Sequence, residues 1–439
     1  MKNKQRISVF IAIGGIGLLL LAACSAPGLL QAPVGREAAI GEQEGIAEPG
    51  AVDSPEARST TPENENEDLQ IGEEAGISTV DDRSSQLRAS TSSWNTDWTR
   101  HSISYDELLS GGPPRDGIPS IDNPTFVGPD EAAGWLASNE PVIALEVGDR
   151  ARAYPLQILT WHEIANDELG GVPVAITFCP LCNSAITFDR RLEGEVLEFG
   201  TSGLLRNSDL VMYDRTTESL WQQFTGEGIV GELTGKQLTF LPSSLVSFAD
   251  FREAYPDGEV LSRDTGFRRA YGNNPYVGYD DVNSSPFLYR GVIDGRLTPM
   301  ERVVTLSLGS SLDSEEAIDV AYPLSILAET GVINDRQSGQ DLAVFHADGT
   351  ASALGAQVIA NADDVGATGV FDRNLDGQLL SFSKEGDRFV DDQTGSSWSI
   401  TGHAIDGPLK GAQLRPLVHG DHFWFSWAAF RPDTVIYQG

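Results

Sequence analysis

The sequence predicts an α+β fold, rich in mostly antiparallel strands and built as two tandem copies of one unit. Three observations predict this fold class. Short β-branched and aromatic runs are separated by Gly, Asp and Asn, as is typical of strands joined by tight turns. Helix signals are few and do not alternate with the strands, which argues against a parallel sheet. Motifs from the first half also recur, in the same order, in the second half.

The recurring motifs indicate a domain duplication. They pair residues 142–148 and 153–159 with 303–309 and 321–327, residues 188–194 with 371–377, residues 214–221 with 391–398, and residues 231–238 with 407–414. The spacing is far longer than that of a solenoid repeat. We therefore expect a first copy at residues 94–300 and a second copy at residues 301–439. The second copy is expected to be degenerate, because its counterpart of residues 178–183 contains no cysteine.

The N-terminus has the features of a lipoprotein signal. Three positive residues precede an apolar run at residues 7–20, and residues 21–24 read Leu-Ala-Ala-Cys, which resembles a lipobox. We therefore expect residues 1–23 to be a signal peptide and Cys24 to carry the lipid. This predicts an extracytoplasmic protein in the cell membrane or envelope, whose partner is the membrane that holds its lipid anchor.

Residues 24–93 are predicted to form a disordered, acidic tether. They are rich in Gly, Pro, Ser, Glu and Asn and have few aromatic residues, so they cannot bury enough apolar area to offset the entropy of ordering. The whole chain has a net charge of −34, which becomes −37 when the three positive residues of the signal are removed. Such a surface repels phosphate groups, so no nucleic-acid partner is expected.

Local patterns predict the elements of the first copy. Strands are expected at residues 142–147, 172–178, 185–188, 196–199 and 210–213. Apolar residues at helical spacing predict one helix at residues 156–169. A second helix is expected at residues 245–255, where Pro256 would end it.

The candidate site combines Cys179, Cys182 and His162. An apolar strand runs into Cys-Pro-Leu-Cys, and the residues after it read as another strand rather than as the helix of a thioredoxin-like site. A Cys-x-x-Cys turn between strands can direct two thiolates at one ion. Two thiolates and an imidazole suit copper or zinc, with His162 as the third ligand.

Four polar residues are predicted to support this site or to line a pocket. On the predicted helix, Asn166 lies one turn after His162 on the flank of the apolar face. Asn183 directly follows the Cys-x-x-Cys turn. Arg206 lies within, and Asp214 follows, a polar Gly- and Ser-rich stretch at residues 200–209, which lacks the features of a phosphate-binding loop.

The motifs resemble domain-of-unknown-function family 3179. They are Trp-His-Glu-Ile-Ala-Asn-Asp at residues 161–167, Phe-Cys-Pro-Leu-Cys-Asn-Ser-Ala at residues 178–185, Phe-Gly-Thr-Ser-Gly at residues 199–203 and Asp-Arg-Thr-Thr-Glu-Ser-Leu-Trp-Gln at residues 214–222. The resemblance covers nearly all of the predicted folded part. It implies an exported microbial protein, often a lipoprotein, and it implies no particular reaction.

Three functions remain open from the sequence, and whether the protein is an enzyme is not decided. The first is a membrane-anchored lipoprotein that binds copper or zinc through Cys179, Cys182 and His162. The second is a thiol-dependent enzyme in which one cysteine is the nucleophile and His162 is the base. The third is a non-catalytic envelope binding module with a Cys179–Cys182 disulfide, which an exported protein can form.

Overall fold

The computed structural model describes residues 76–309 and 317–439. The predicted signal peptide, Cys24 and most of the predicted tether lie outside these residues. Within the described ranges, no helix combines the length and apolar character needed to cross a bilayer.

Strands dominate the described residues. The α-helices are α1 (Ser85–Ser90), α2 (Pro129–Ala132), α3 (Leu156–His162), α4 (Phe248–Ala254), α5 (Leu324–Thr330) and α6 (Trp424–Phe430), with 3-10 helices at Tyr105–Glu107 and Ile359–Asn361. The strands before residue 262 are β1 (Leu108–Ser110), β2 (Phe126–Val127), β3 (Pro141–Val147), β4 (Arg150–Pro155), β5 (Ile164–Leu169), β6 (Val172–Cys179), β7 (Ser184–Asp189), β8 (Arg191–Leu192), β9 (Glu195–Val196), β10 (Phe199–Arg206), β11 (Asp209–Asp214), β12 (Leu220–Gln222), β13 (Gly228–Val230), β14 (Thr239–Leu241), β15 (Ser243–Ser247) and β16 (Glu259–Leu261). The later strands are β17 (Arg302–Leu308), β18 (Ile318–Pro323), β19 (Val332–Gln337), β20 (Gln340–Ala347), β21 (Ala367–Asp372), β22 (Asn374–Leu375), β23 (Gln378–Leu379), β24 (Phe382–Glu385), β25 (Arg388–Asp391), β26 (Ser397–Trp398), β27 (Ala404–Asp406), β28 (Arg415–Pro416), β29 (Gly420–Phe423) and β30 (Val435–Ile436).

The sheets are mostly antiparallel, as the sequence predicts. The larger sheets have the strand orders β1-β10-β11-β12-β13, β14-β7-β6-β5 and β15-β3-β4-β16-β2 before residue 262, and β29-β17-β18-β30, β19-β20-β21-β28 and β24-β25-β26-β27 after it. Among the described strands, only β4 with β16 and β18 with β30 pair in parallel. The strand orders before and after residue 262 therefore match sheet by sheet, apart from the added edge strands β1 and β2.

Strand β6 lies in the middle of its sheet and leads to the candidate site. Its residues after Val172 are all buried, which explains the continuous apolar run in the sequence. Gly170 and Gly171 both have positive φ and form the two-residue turn from β5, a conformation that glycine adopts without steric cost.

The predicted helix at residues 156–169 is wrong in its second half. Helix α3 ends at His162, Glu163 has a φ of 59°, and the chain continues as β5, which pairs along its whole length with β6. The apolar positions fitted a helical period because residues on both elements are buried against the same core. Periodicity alone cannot distinguish a helix from a short helix followed by a buried strand.

The second predicted helix begins later than expected. Residues from Ser243 to Ser247 form β15, and α4 starts at Phe248. The Ser247 side chain accepts a hydrogen bond from the backbone N–H of Asp250, and the Asp250 carboxylate accepts one from the Ser247 N–H. This reciprocal cap determines where the helix begins.

The last part of the predicted tether packs against the folded body. Helix α1 lies within residues 24–93, and its Leu87 is buried. The Arg83 guanidinium lies 4.0 Å from the ring centroid of Trp98, which contributes a cation–π contact. Apolar and aromatic contacts of this kind explain why order begins before Trp94.

The two predicted copies share a hydrophobic core. One apolar cluster contains Phe178 and Trp221 together with Val303, Phe423 and Trp424. All the described residues, including those of both predicted copies, lie in one compact unit. The segment between β16 and β17 has no helix or strand, and four of its tyrosines pack against this core: Tyr271, Tyr276, Tyr279 and Tyr289.

Candidate metal centre

The two cysteines lie in the turn between two adjacent strands, as the sequence predicts. Cys179 is the last residue of β6, and it is paired with Ser184, the first residue of β7. The Cys182 N–H donates to the Cys179 carbonyl over 3.2 Å, which holds the turn closed. Both side chains are free thiols, with exposed fractions of 2% and 0%. The turn therefore presents both sulfurs to the protein interior.

Asp209 joins the two thiols from a different sheet. It is the first residue of β11, after a two-residue turn in which Asn207 and Ser208 both have positive φ. One sulfur atom from each cysteine and one Asp209 carboxylate oxygen all lie within 4.8 Å of one another. The Cys179 thiol also donates to the Ser208 carbonyl over 3.9 Å. A β-hairpin tip thus supplies the third potential ligand.

The two oxygens of Asp209 have different surroundings. Oδ2 accepts hydrogen bonds from Gln222 Nε2 at 2.6 Å and from the Phe224 backbone N–H at 3.0 Å. Oδ1 is buried and has no hydrogen-bond partner among the described residues. The thiols of Cys179 and Cys182 are weak donors near this carboxyl, and their hydrogen bonds act to lower the pKa of Asp209. A buried carboxylate oxygen without a stronger donor is energetically costly.

Burial opposes ionisation throughout this cluster. It raises the pKa of Asp209 from 3.8 to about 7, although hydrogen bonds from Gln222 and the Phe224 N–H act in the opposite direction. Burial also raises the pKa of Cys179 and of Cys182. Without a compensating cation, both thiols therefore favour their neutral forms at neutral pH, and the Asp209 carboxyl ionises only around pH 7.

Glu163 is a second buried carboxyl close to the cluster. Burial and then the charge of Asp209 raise its pKa from 4.5 to about 8. Its backbone carbonyl accepts a hydrogen bond from the N–H of Phe178, so Glu163 lies beside the end of β6. Its charge also contributes to the raised pKa of Cys179.

His162 is not part of this group of atoms and has its own hydrogen-bond network. Nδ1 contacts the Pro119 carbonyl at 2.7 Å, and Nε2 contacts the Tyr271 hydroxyl at 2.6 Å. These contacts fit a neutral ring that donates from Nδ1 and accepts at Nε2. Burial lowers the pKa of His162, which also favours the neutral form. Neither ring nitrogen could bind an ion without losing one of these partners.

The four predicted supporting residues have separate structural contacts. Asn166 is on β5 rather than on a helix, and it bonds both the N–H and the carbonyl of Phe199. Asn183 has a φ of 52° and donates to the Asp421 carbonyl over 3.2 Å. Arg206 forms an ion pair with Glu107 at 2.7 Å.

Asp214 is the buried centre of a corner that closes strands β11 and β12. Its Oδ2 accepts from Trp221 Nε1 at 3.0 Å and from the Thr217 hydroxyl at 2.8 Å. These contacts give Asp214 a structural role in the hairpin.

Two tyrosines of the segment between β16 and β17 cover the thiols. The Tyr279 hydroxyl donates to the carbonyl of Leu181, between the two cysteines, over 3.1 Å. The same hydroxyl accepts from the Phe287 N–H, and the Ser208 hydroxyl donates to the Phe287 carbonyl. The charges of Glu163 and Cys179 add to burial in raising the pKa of Tyr276. The cluster therefore lies beneath an aromatic cover.

Asp209 and Glu163 were not predicted as ligands from the sequence. The prediction of one helix over residues 156–169 did not place Glu163 at a helix end. Asp209 belongs to the polar Gly- and Ser-rich stretch at residues 200–209, whose Arg206 was predicted to support the site or to line a pocket. The available signal was its position at the start of a strand whose residues are all buried, where a carboxylate is unexpected.

The comparisons with known proteins identify the family. The family model described as "Protein of unknown function (DUF3179)" matches residues 115–434, which confirms the resemblance seen in the motifs. No curated protein and no solved structure matches the chain. Because the matched region includes nearly all of the described strands and the whole cysteine cluster, the chain belongs to the DUF3179 family of proteins of unknown function.

Proposed function

We propose that this protein is an exported, lipid-anchored protein whose folded part binds a transition metal ion through Cys179, Cys182 and Asp209. The observation that carries the proposal is the convergence of three potential ligand atoms, since one Asp209 carboxylate oxygen and both sulfurs lie within 4.8 Å of one another. The buried Asp209 Oδ1, which meets no hydrogen-bond donor by geometric criteria among the described residues, supports it. A cation at the centre of the three atoms would supply the missing partner. The anchor is inferred from the sequence around Cys24, which lies outside the described residues.

The electrostatics favour a cation at this site. Burial raises the pKa of both thiols and of the Asp209 carboxyl, which favours their protonated forms. A divalent ion displaces these protons and neutralises the anions that remain. Binding is therefore expected to release protons and to weaken at low pH.

The donor set favours zinc over copper. Zinc accepts cysteine sulfur, histidine nitrogen and carboxylate oxygen in four-coordinate sites. Copper(I) favours thiolate and thioether ligands, whereas carboxylate is a harder donor. Replacing the expected imidazole of His162 by the carboxylate of Asp209 therefore shifts the preference towards zinc, with copper as the second choice.

The same geometry argues against a thiol enzyme. A nucleophilic cysteine needs an accessible, low-pKa thiol, whereas these thiols are buried and have raised pKa values. The proposed base, His162, has Pro119 and Tyr271 as its partners rather than a sulfur. The disulfide-linked binding module remains an outcome of the test described below.

The recurring motifs support an origin of the folded part by duplication. Trp398 Nε1 donates to Asp391 Oδ2 over 3.0 Å, which repeats the bond between Trp221 and Asp214. Asn334 bonds the N–H and the carbonyl of Phe382, as Asn166 does with Phe199. The equivalents of Cys179 and Cys182 are His346 and Gly349, so we infer that the second copy has no corresponding metal site.

Elemental analysis of the full-length protein tests the metal proposal. Protein purified under reducing conditions should contain about one zinc ion per chain, and Asp209→Asn and Cys182→Ser should each lower this content sharply. His162→Gln distinguishes the two ligand sets, because our proposal predicts that it retains the metal. A free-thiol titration checks that both cysteines are reduced.

Two results would contradict the proposal. If the wild-type protein binds no zinc or copper and has no free thiols, the disulfide-linked module is the better description. If His162→Gln loses the ion while Asp209→Asn retains it, the ligand set proposed from the sequence is correct instead.

A further inference from the structure

Glu163 occupies a backbone position that normally favours glycine. It directly follows α3, with a φ of 59°, and its N–H donates to the Leu159 carbonyl. After α5, the equivalent position is Gly331, with a φ of 73°, and its N–H donates to the Leu327 carbonyl. The two helix ends have the same geometry, but only one of them uses a glycine.

The glutamate makes this position less stable than glycine would. A residue with a Cβ atom is strained at positive φ, and glycine is the usual residue at a left-handed helix end. Such outliers tend to occur where a side chain has a function. The chain could have used glycine at residue 163, as it does at residue 331, so the carboxylate itself requires an explanation.

The side chain of Glu163 is largely buried. The residue is 8% exposed, and its carboxylate oxygens are not among the fully buried atoms that lack a hydrogen-bond partner. The residue lies beside the end of β6, where Cys179 begins the turn, and its charge interacts with that of Asp209. A strained backbone and a largely buried carboxyl both oppose a glutamate in the metal-free protein, so structural stability alone does not account for this side chain.

We propose that Glu163 supplies the fourth ligand of the ion held by Cys179, Cys182 and Asp209. This inference rests on the proposed metal binding and completes its ligand set. Glu163 is not part of the group of atoms within 4.8 Å of one another, so rotation about its side-chain bonds must bring the carboxylate to the ion. Three rotatable bonds make such a movement accessible within the buried site.

A fourth protein ligand determines the type of metal site. Structural zinc sites have four protein ligands, whereas catalytic sites keep a position open for water or substrate. Two thiolates and two carboxylates carry the same total charge as the four thiolates of a structural zinc site. The geometry thus points to a closed, four-coordinate site that stores the ion or stabilises the fold, rather than one that activates a water molecule.

The test compares Glu163→Gln, Glu163→Gly and Glu168→Gln in the full-length protein. Zinc affinity is measured by competition with a chelator, and coordination is followed through the visible absorption of Co²⁺ bound in place of zinc. Both Glu163 variants should bind zinc at least about tenfold more weakly, as is typical when a group that supports a metal site is lost. Their Co²⁺ spectra should change, because water replaces the carboxylate. Glu168, which is exposed on β5, is the control and should behave as wild type.

The glycine variant separates backbone strain from ligand chemistry. Glu163→Gly should raise the melting temperature of the metal-free protein while weakening zinc binding. Wild-type affinity and an unchanged Co²⁺ spectrum in both Glu163 variants would overturn the fourth ligand and leave the three-residue site intact. Failure of the wild-type protein to bind zinc or Co²⁺ would instead overturn the metal proposal itself.

Discussion

Two buried carboxyl groups dominate the chemistry of the site at the residue scale. Asp209 and Glu163 have raised pKa values in the folded protein because burial disfavours their charged forms. Between about pH 4 and pH 8, the folded protein therefore still holds protons that the unfolded chain has already released. The metal-free protein should lose stability as the pH rises through this range, because the folded state binds more protons than the unfolded state.

Asp209→Asn should reduce this loss of stability. In the wild type, the Asp209 carboxyl does not lower the free energy of unfolding at pH values below its unfolded pKa of 3.8. Above that pH it lowers the free energy of unfolding progressively, until the pH passes its folded pKa of about 7. At pH 8 the variant should be more stable than the wild type by roughly 1–4 kcal/mol, since one pKa unit corresponds to about 1.4 kcal/mol. Urea unfolding with a chelator present, at pH 5 and pH 8, measures the difference. If the free energy of unfolding of the two proteins changes with pH in parallel, the raised pKa of Asp209 is contradicted.

At the scale of the elements, Asp214 and Asp391 lie at two matching hairpin corners. Each carboxylate accepts from a tryptophan indole at 3.0 Å and from a threonine hydroxyl at 2.8 Å. Both aspartates are fully buried. Each therefore joins two strands of a hairpin through hydrogen bonds that water cannot replace.

Asp214→Ala and Asp391→Ala should destabilise the protein by similar amounts. Each change leaves a tryptophan indole N–H and a threonine backbone N–H without the aspartate acceptor, and each unsatisfied buried group costs about 1–3 kcal/mol. We expect a loss of about 3 kcal/mol in each case, measured by urea unfolding. Asp130→Ala, at a site where the side chain is 91% exposed, is the control and should change stability little. A large effect in one corner and none in the other would argue against equivalent roles.

At the scale of the whole molecule, we propose that a lipid anchor determines where the protein acts. The net charge of −34 discourages binding to anionic surfaces, so the membrane attachment that we propose depends on the lipid at Cys24. Residues of the two predicted copies contribute to one core, and the cysteine cluster lies within the predicted first copy. We infer that the second copy mainly supports the first.

Cys24→Ser should release the protein from the membrane. Without a lipidated cysteine, the proposed anchor is absent, whereas the folded part and its metal content should be unchanged. Fractionation followed by a salt wash measures the membrane-bound share. Retention of the variant on membranes after the wash would contradict the lipid anchor.

Local patterns in the sequence determined the strand-rich class and the cysteine turn. Strands β3, β6, β7 and β11 lie close to their expected positions because alternating or continuous apolar runs and glycine turns act over a few residues. The turn between β6 and β7 was predictable for the same reason. The recurring motifs were also visible, since they require only comparison of the chain with itself.

Only the tertiary structure decided which groups meet. Asp209 reaches the thiols through a hairpin of another sheet, and His162 bonds Tyr271, which lies 109 positions further along the chain. The helical period at residues 156–169 could not reveal that Glu163 ends the helix with a positive φ. Contacts of this kind depend on how distant strands pair and pack, and that pairing is determined by the burial of the whole core rather than by any local run of residues.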